Sequence, residues 1–423
     1  MAKIQKVWAR EILDSRGIPT VEAACQLDNM QVGVASVPGG TSTGTHEALE
    51  LRDNDSSRYA GKGVIKAISN VNQILGPSVY GLDPTNQEEI DKKLISTDGT
   101  KNKSKYGANA ILAISIAAAK AGAASSGVSL YTHINTLAKS AGINAIPKVP
   151  TPVSVLIEGG LHGAGNLDFQ EFHVIPATSK KFSDGIRSIV EIFLNLENDL
   201  KRRGAIHSVG IEGGYAPNLF TNADALEILV ESIRQTNYQL GRDVFLGLDV
   251  AALFFYKGNE YVIRDKSNPL SDTDLLEYYK FLNGQFHLAI LEDPFHEDAW
   301  DSWKKITEEM SGQVLIVGDD LLVTNMERVE KAIQEKSCNA ILVKPNQVGT
   351  ITETINVVKK AKDAGWKIIV SHRGGETNDW FIADFAVGIG SDYVKFGAPS
   401  RGERVAKYNR LLGIEVELLQ GSQ

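Results

Sequence analysis

The sequence predicts an α/β protein in which a (β/α) barrel follows a smaller α+β domain. Residues 141–423 contain short apolar strands that alternate with amphipathic helical segments, and several of these strands end in a charged residue. Residues 1–140 instead show strand-like alternation first and helical spacing afterwards, which is typical of an α+β unit. The second segment has 283 residues, and this length suits a barrel of about 250 residues with modest insertions.

The N-terminal segment begins with two alternating runs joined by a turn. Apolar residues occupy every second position in 21–27, Val32, Val34 and Ser36 continue the alternation, and Asp28 and Asn29 lie between the two runs. This pattern predicts a small antiparallel sheet. Helical spacing follows from residue 62 to 126. The Ala-rich stretch 110–124 falls short of the ~20 apolar residues that a membrane span needs, so we expect a buried helix there.

Six apolar segments are the strand candidates of the barrel. They are residues 244–249, 288–293, 314–319, 340–344, 367–371 and 393–395. Helical spacing is clearest between Ile186 and Leu200 and between Leu226 and Ile233. A doubly wound sheet remains the alternative, although none of these strands is followed by the GxGxxG pattern of a dinucleotide-binding turn.

Charge and cysteine content exclude several classes of function. The chain has 44 basic and 52 acidic residues, a net charge of −8, and lacks any run of five Lys or Arg residues. We therefore expect neither a nucleic acid nor a membrane as partner. Cys25 and Cys338 are the two cysteines, and they form no CxxC motif. Without a disulfide framework, a zinc motif or a signal-peptide pattern, we expect a cytoplasmic protein.

Charged residues at the strand ends are the candidate site. Asp249, Glu292 and Asp319 end three of the predicted strands, and Lys344 and Lys395 end two others. In a barrel these ends converge on one face, whereas a single strand-end Asp is often only a helix N-cap. Three carboxylates suit a hard cation such as Mg²⁺. A lysine beside such a cation is a candidate general base.

The chain resembles the enolase family from about Lys6 to Glu417. The ordered motifs that carry the resemblance are AREILDSRG, PTVE, ELRD, RYAGKGV, DGTKNKSKYGANAIL, QEF, EGGYAPN, LDVA, EDPF, GDDL, NQVGT, SHR and KYNRLLGIE. The resemblance implies an N-terminal capping domain, residues 1–140, and a modified eight-stranded barrel, residues 141–423. In this barrel the second strand runs antiparallel to its neighbours.

The resemblance also implies an activity and a role for each site residue. The expected reaction is the reversible, Mg²⁺-dependent dehydration of 2-phosphoglycerate to phosphoenolpyruvate in glycolysis, by a homodimer. Lys344 would remove the α-proton, and Glu212 would be the acid that assists loss of the hydroxyl group. The remaining assignments are Asp249, Glu292 and Asp319 for the metal, Lys395 for the substrate carboxylate, Arg373 for the phosphate, and His162, Glu171 and His372 near the hydroxymethyl group.

Several residues depart from the usual family pattern close to this chemistry. Gly39 and Gly374 each stand where the family has a serine, at the second metal and at the phosphate respectively, so the second Mg²⁺ site is expected to be weakened. Ile211 places an apolar neighbour beside Glu212, and we expect it to raise the pKa of that carboxyl. The other departures are Pro345, Phe396, Glu158 and His173. They leave two alternatives open: an enzyme acting on a related phospho- or phosphono-carboxylate, and a non-catalytic binding paralogue.

Overall fold

The computed structural model describes residues 2–40, 45–163 and 167–420. The strands are β1 (Ile4–Leu13), β2 (Pro19–Leu27), β3 (Val32–Ser36), β4 (Thr151–Glu158), β5 (Glu171–Pro176), β6 (Val244–Asp249), β7 (Tyr256–Lys257), β8 (Glu260–Tyr261), β9 (Leu288–Glu292), β10 (Leu315–Gly318), β11 (Ala340–Val343), β12 (Lys367–Ser371) and β13 (Tyr393–Lys395).

The helices fall into an N-terminal group of five and a group that accompanies the barrel. The first group is α1 (Ile65–Asn70), α2 (Gly76–Ser78), α3 (Gln87–Asp98), α4 (Ala108–Ser125) and α5 (Leu130–Ser140). The second is α6 (Phe182–Arg202), α7 (Asn222–Arg234), α8 (Asp272–Phe286), α9 (Trp300–Met310), α10 (Met326–Glu335), α11 (Pro345–Val348), α12 (Ile351–Asp363), α13 (Phe381–Gly388) and α14 (Gly402–Gln420).

The N-terminal sheet has the order β1-β2-β3 and is antiparallel throughout, as predicted. Helix α4 packs against β2 and β3. A Cβ atom at Gly33 would overlap the backbone of Ala117 and Ala121 on α4, so glycine is required at this close approach. Helix α4 extends over 18 residues, beyond the stretch 110–124, and by length and composition alone it could cross a membrane, but 83% of it is buried inside the protein. The prediction of a buried helix is therefore confirmed.

The second part of the chain forms a closed barrel with the strand order β4-β5-β6-β9-β10-β11-β12-β13. All six strand candidates are present, and β5 pairs antiparallel with both β4 and β6. The barrel prediction is correct, and so is the antiparallel second strand implied by the resemblance. Periodicity did not reveal β4 and β5, because nearly every residue of both strands is buried and neither shows alternation.

The barrel topology decides which residues meet at the mouth. Parallel strands place Asp249, Glu292 and Lys395 at their carboxyl ends, on one face. Because β5 runs in the opposite direction, its first residue, Glu171, lies at the same face and pairs in register with Asp249. Glu158 ends β4 and lies opposite Glu171 on the other side.

Candidate active site

Lys395 lies at the centre of three buried carboxylates. Its Nζ atom is 2.8 Å from Asp249 Oδ2 and 2.9 Å from Glu292 Oε1. The third carboxylate, Glu171, places Oε2 at 2.9 Å. Burial opposes the charged form of Lys395, but these carboxylates outweigh it and raise the lysine pKa well above its ordinary value. The sequence-predicted residues Asp249, Glu292 and Lys395 thus meet directly.

Carboxylates outnumber the cations at this face. Burial and the neighbouring Asp249 raise the pKa of Glu292 well above its ordinary range. Burial and Asp320 do the same for Asp293. One oxygen each from Asp249, Glu292 and Asp293 lie within 4.8 Å of one another. Repulsion among these groups favours the arrival of a cation.

Asp319 belongs to an adjacent group that shares Asp293. One oxygen each from Asp293, Asp319 and Asp320 lie within 4.8 Å of one another. Asp293 also accepts hydrogen bonds from the backbone N–H groups of Asp319, at 3.0 Å, and Asp320, at 2.8 Å. Sequence reasoning missed Asp293, although it directly follows Glu292 in the EDPF motif. It ties the ends of β9 and β10 together.

Lys344 lies beside Asp319. Its Nζ atom forms an ion pair with Asp319 Oδ2, and Gln347 donates to the other carboxylate oxygen at 3.1 Å. Burial alone would lower the pKa of Lys344, but Asp319 raises it above the ordinary value. Lys344 precedes α11, whose first residue is Pro345. Proline is favourable at the first helical position, so it fixes the point at which the strand ends and the lysine projects.

Glu212 forms a buried hydrogen-bonded pair with His372. His372 Nε2 is 2.8 Å from Glu212 Oε2, and His372 Nδ1 is 2.9 Å from a guanidinium nitrogen of Arg404. Because a guanidinium only donates, Nδ1 accepts, and the neutral ring carries its proton on Nε2. His372 therefore donates to the Glu212 carboxylate. Burial, together with the charge of Arg404, lowers the pKa of His372 and keeps the ring neutral.

The expectation that Ile211 raises the pKa of Glu212 is wrong. Burial does act in that direction, but the hydrogen bond from the neutral His372 and the positive charge of His162 hold the pKa of Glu212 below its ordinary value. Electrostatic partners and a hydrogen bond to the charged form thus outweigh desolvation. Glu212 is a carboxylate in this structure.

Two histidines contact Glu171. His162 Nδ1 is 3.1 Å from Glu171 Oε1 and 3.8 Å from Glu212 Oε1. Burial would lower the pKa of His162, but Glu212 and Glu171 raise it to about 9, so this ring is charged at neutral pH. His173 donates from Nε2 to Glu171 Oε2 over 2.9 Å. His173 and Lys395 therefore fix the same oxygen of Glu171.

Glu158 supports the segment that carries Glu212. Its carboxyl group accepts from the backbone N–H of Glu212 at 3.1 Å and from that of Gly214 at 2.6 Å. Burial and the charge of Glu212 raise the pKa of Glu158 to about 8. The sequence indicated only that Glu158 departs from the usual family pattern. Its hydrogen bonds to the Glu212 segment depend on the tertiary structure.

Two of the three residues predicted near the phosphate and the second metal line the cleft, Arg373 and Gly374, and the third, Gly39, does not. Arg373 and Gly374 line it together with His162, Glu171, Glu212, Asp249, Asp319, Lys344, His372 and Lys395. Arg373 also forms a bidentate ion pair with Glu47, at 2.9 and 3.1 Å. Gly39 is outside this set of lining residues and exchanges two backbone hydrogen bonds with Gly375. A Cβ atom at Gly39 would lie 3.1 Å from the Arg16 guanidinium.

Two family models cover most of the chain. The enolase N-terminal domain matches residues 4–134, and the enolase C-terminal TIM barrel domain matches residues 147–423. The chain belongs to the enolase family. An enolase-type lyase is the class of enzyme that this membership supports, and the closed barrel with its small N-terminal sheet has the corresponding fold.

The donors of this enolase-family chain fit Mg²⁺, the cation that the family typically binds. Asp249, Glu292 and Asp293 supply carboxylate oxygens only, which is the chemistry that a hard divalent cation prefers. In addition, Asp249 Oδ1 is buried and has no hydrogen-bond partner among the described residues. A cation at this position would satisfy an oxygen that is otherwise costly to bury.

Proposed function

We propose that this chain is a Mg²⁺-dependent phosphopyruvate hydratase that interconverts 2-phosphoglycerate and phosphoenolpyruvate. The observation that carries the proposal is the arrangement of one cleft. Lys344 lies in it with the Glu212–His372 pair, and the acidic cluster around Lys395 adjoins both. A base, an acid and a site for charge stabilisation are the three elements that the reaction requires.

Lys344 is the proposed base. In the forward direction it takes the proton from C2 of the substrate, and the electron pair of the C2–H bond moves toward the carboxylate. Burial, Arg373 and Lys395 all lower the pKa of Lys344, whereas Asp319 raises it. A bound Mg²⁺ would offset part of the negative charge of the carboxylates near Lys344 and would stabilise the negative charge that develops on the substrate carboxylate.

Glu212 is the proposed acid for the second half of the reaction. As the C2–C3 double bond forms, the C3–O bond breaks and the hydroxyl group leaves as water with a proton from Glu212. In this structure Glu212 is ionised, and the charged ring of His162 is a proton donor with Nδ1 at 3.8 Å from Glu212 Oε1. In the hydration direction the Glu212 carboxylate accepts a proton from water, so the low pKa suits that direction directly.

The cationic residues suit a substrate with two anionic groups. Arg373 offers two parallel N–H donors, at present to Glu47, and such a fork matches a phosphate. Lys395 provides a buried ammonium group for a carboxylate. Because one cationic residue suits a phosphate and another suits a carboxylate, we propose a small phospho-carboxylate as the substrate.

The experiment is a direct assay of phosphoenolpyruvate formation from 2-phosphoglycerate by ultraviolet absorbance. We expect Mg²⁺-dependent activity that falls by about 10³ in Lys344→Ala, because general-base catalysis has this order of magnitude. The matched control is Lys304→Ala, which removes an exposed lysine of α9. Asp249→Asn should raise the Mg²⁺ concentration needed for half-maximal activity. Activity that persists in Lys344→Ala would refute the assignment of the base.

A second candidate is the same proton-transfer chemistry on a related phospho- or phosphono-carboxylate. Gly374 lines the cleft without a side chain. Phe396 is buried against His372, with ring centroids 6.5 Å apart. Both residues depart from the usual family pattern, so the surroundings of the substrate would differ from those in a typical enolase. If the wild type rejects 2-phosphoglycerate but exchanges the α-proton of another phospho-carboxylate, this second candidate replaces the first.

The proposal includes a homodimer in the cytoplasm. The oligomeric state is measured by light scattering at micromolar concentration, where the mass of a single chain would refute the dimer. Fractionation of cells that produce the protein tests its location.

A further inference from the structure

The segment 45–49 makes several hydrogen bonds and an ion pair with the barrel domain. Thr45 donates from its hydroxyl to Glu297 Oε1 at 2.9 Å, and Glu47 pairs with Arg373. The backbone N–H of Ala48 donates to Gln347 at 2.8 Å. This segment therefore connects the N-terminal domain to the loop after β9, to α11 and to the loop after β12.

His46, within this segment, meets two acidic residues of the loop between β9 and α9. One ligand atom each from His46, Glu297 and Asp298 lie within 4.8 Å of one another. The distance between His46 Nε2 and Asp298 Oδ1 is 3.9 Å. Two ligands at about 2.1 Å from one ion are at most about 4.2 Å apart. The His46–Asp298 distance already meets this limit.

Glu297 gives an independent indication of a missing ligand. The residue is 4% exposed, yet its Oε2 atom has no hydrogen-bond partner among the described residues. Thr45 satisfies only Oε1. A buried carboxylate oxygen without a partner is costly, and a cation is one of the few groups that offsets this cost. Because Glu297 is not among the residues that line the catalytic cleft, the proposed catalysis does not explain this oxygen.

The charges around the cluster leave room for a cation. Arg328 donates to Asp298, and both contacts, at 3.1 Å, use Oδ1. The two carboxylates therefore retain one net negative charge after Arg328 is counted. His46 and Arg328 also line a surface cavity, and the His46 side chain is 39% exposed, so an ion can enter from solvent.

We propose that His46, Glu297 and Asp298 form a binding site for a divalent transition-metal ion, separate from the carboxylate cluster at the strand ends. An imidazole nitrogen with two carboxylate oxygens favours Zn²⁺ or Co²⁺ over Mg²⁺. The ion joins segment 45–49 to the loop after β9. Because Glu47 follows His46 directly and pairs with Arg373, occupancy stabilises the position of this segment at the cleft.

The test measures metal binding and needs no catalytic activity. Metal-free protein is saturated with excess Mg²⁺ and then titrated with Zn²⁺ by calorimetry and with Co²⁺ by visible absorption. We expect the wild type to bind one more ion per chain than His46→Gln, or to bind it at least ten times more tightly. The matched control is His207→Gln, which alters an exposed histidine outside the acidic cluster and should bind like the wild type.

Two further variants separate this site from the catalytic one. Asp249→Asn should retain the extra Zn²⁺, whereas Glu297→Gln should lose it. Thermal unfolding without Zn²⁺ shows whether each variant is folded, and added Zn²⁺ should raise the melting temperature of the wild type but not of His46→Gln. Equal binding by the wild type and His46→Gln, or loss of the ion in Asp249→Asn alone, would overturn the proposal.

Discussion

Arg404 donates a hydrogen bond to Nδ1 of His372 over 2.9 Å, and this contact decides which nitrogen of the imidazole carries the proton. The other nitrogen is then available to donate to Glu212. Arg404 is fully buried, and it also donates to the backbone carbonyls of Arg373 and Gly374. It acts as a positioning residue for the proposed acid, because it orients His372 and also donates to the backbone carbonyl of Ile211, directly before Glu212, at 3.1 Å.

Two substitutions of Arg404 should show how far its positive charge controls the pKa of His372. Arg404→Lys keeps the charge, and Arg404→Met removes it. Because the charge of Arg404 adds to burial in lowering the pKa of His372, we expect its loss to raise that pKa. The acidic limb of kcat/KM should therefore move to higher pH in Arg404→Met, with a smaller shift in Arg404→Lys. A lower kcat with an unchanged pH profile in both variants would indicate a structural role alone.

Glu212→Gln should affect the two halves of the reaction unequally. The amide keeps the size of the side chain but cannot supply the proton that leaves with the hydroxyl group. We expect exchange of the C2 proton with solvent to survive better than net dehydration, by about tenfold or more. Exchange is followed by NMR in deuterated water, with dehydration measured on the same samples. Equal loss of both rates would contradict the assignment of Glu212 as the acid.

Glu158→Gln should change the pH dependence of stability. The pKa of Glu158 is about 8 in the folded chain, above its ordinary value of 4.5, so the folded state holds a proton that the unfolded state has lost. Its contribution to stability is present below pH 4.5 and falls as the pH rises toward 8, at up to about 1.4 kcal/mol per pH unit.

The measurement is urea unfolding of wild type and Glu158→Gln at pH 5, 6.5 and 8. The wild type should lose more stability than the variant between pH 5 and pH 8, because the glutamine does not titrate. Parallel stability curves would show that Glu158 has an ordinary pKa. The control is Glu88→Gln, at an exposed residue in the first turn of α3. It should leave the dependence of the unfolding free energy on pH as it is in the wild type.

Serine substitutions at Gly374 and Gly39 should change KM to different extents. Gly374→Ser places a hydroxyl group in the cleft, where a hydrogen bond to a charged phosphate is worth about 1.5–3 kcal/mol, which corresponds to a decrease in KM of about tenfold or more. Gly39→Ser introduces a Cβ atom near the flexible ends of Arg16 and Arg52, at 3.1 and 3.2 Å, so the fold should tolerate it. We expect it to change KM less than Gly374→Ser.

Steady-state kinetics with 2-phosphoglycerate at several Mg²⁺ concentrations test this order. Gly312→Ser is the control, because a Cβ atom at this position meets open space. A larger effect of Gly39→Ser on the Mg²⁺ requirement would mean that the segment around Gly39 moves toward the cleft when substrate binds.

The sequence by itself determined the barrel, the six strands that periodicity revealed, and the charged residues at their ends. Its motifs also determined the family. This was possible because apolar periodicity depends on local spacing, and because parallel strands bring their carboxyl ends together whatever the details of packing. Asp249, Glu292 and Lys395 therefore meet as a consequence of topology.

Only the tertiary structure decided how these residues are paired and charged. Arg404 reaches His372 across 32 positions and Glu47 reaches Arg373 across 326, so local patterns cannot predict either contact. The low pKa of Glu212 likewise depends on histidines from other parts of the chain, which outweigh the burial that the sequence suggested. Electrostatic energies vary steeply with distance and burial, and both quantities are set when distant segments pack together.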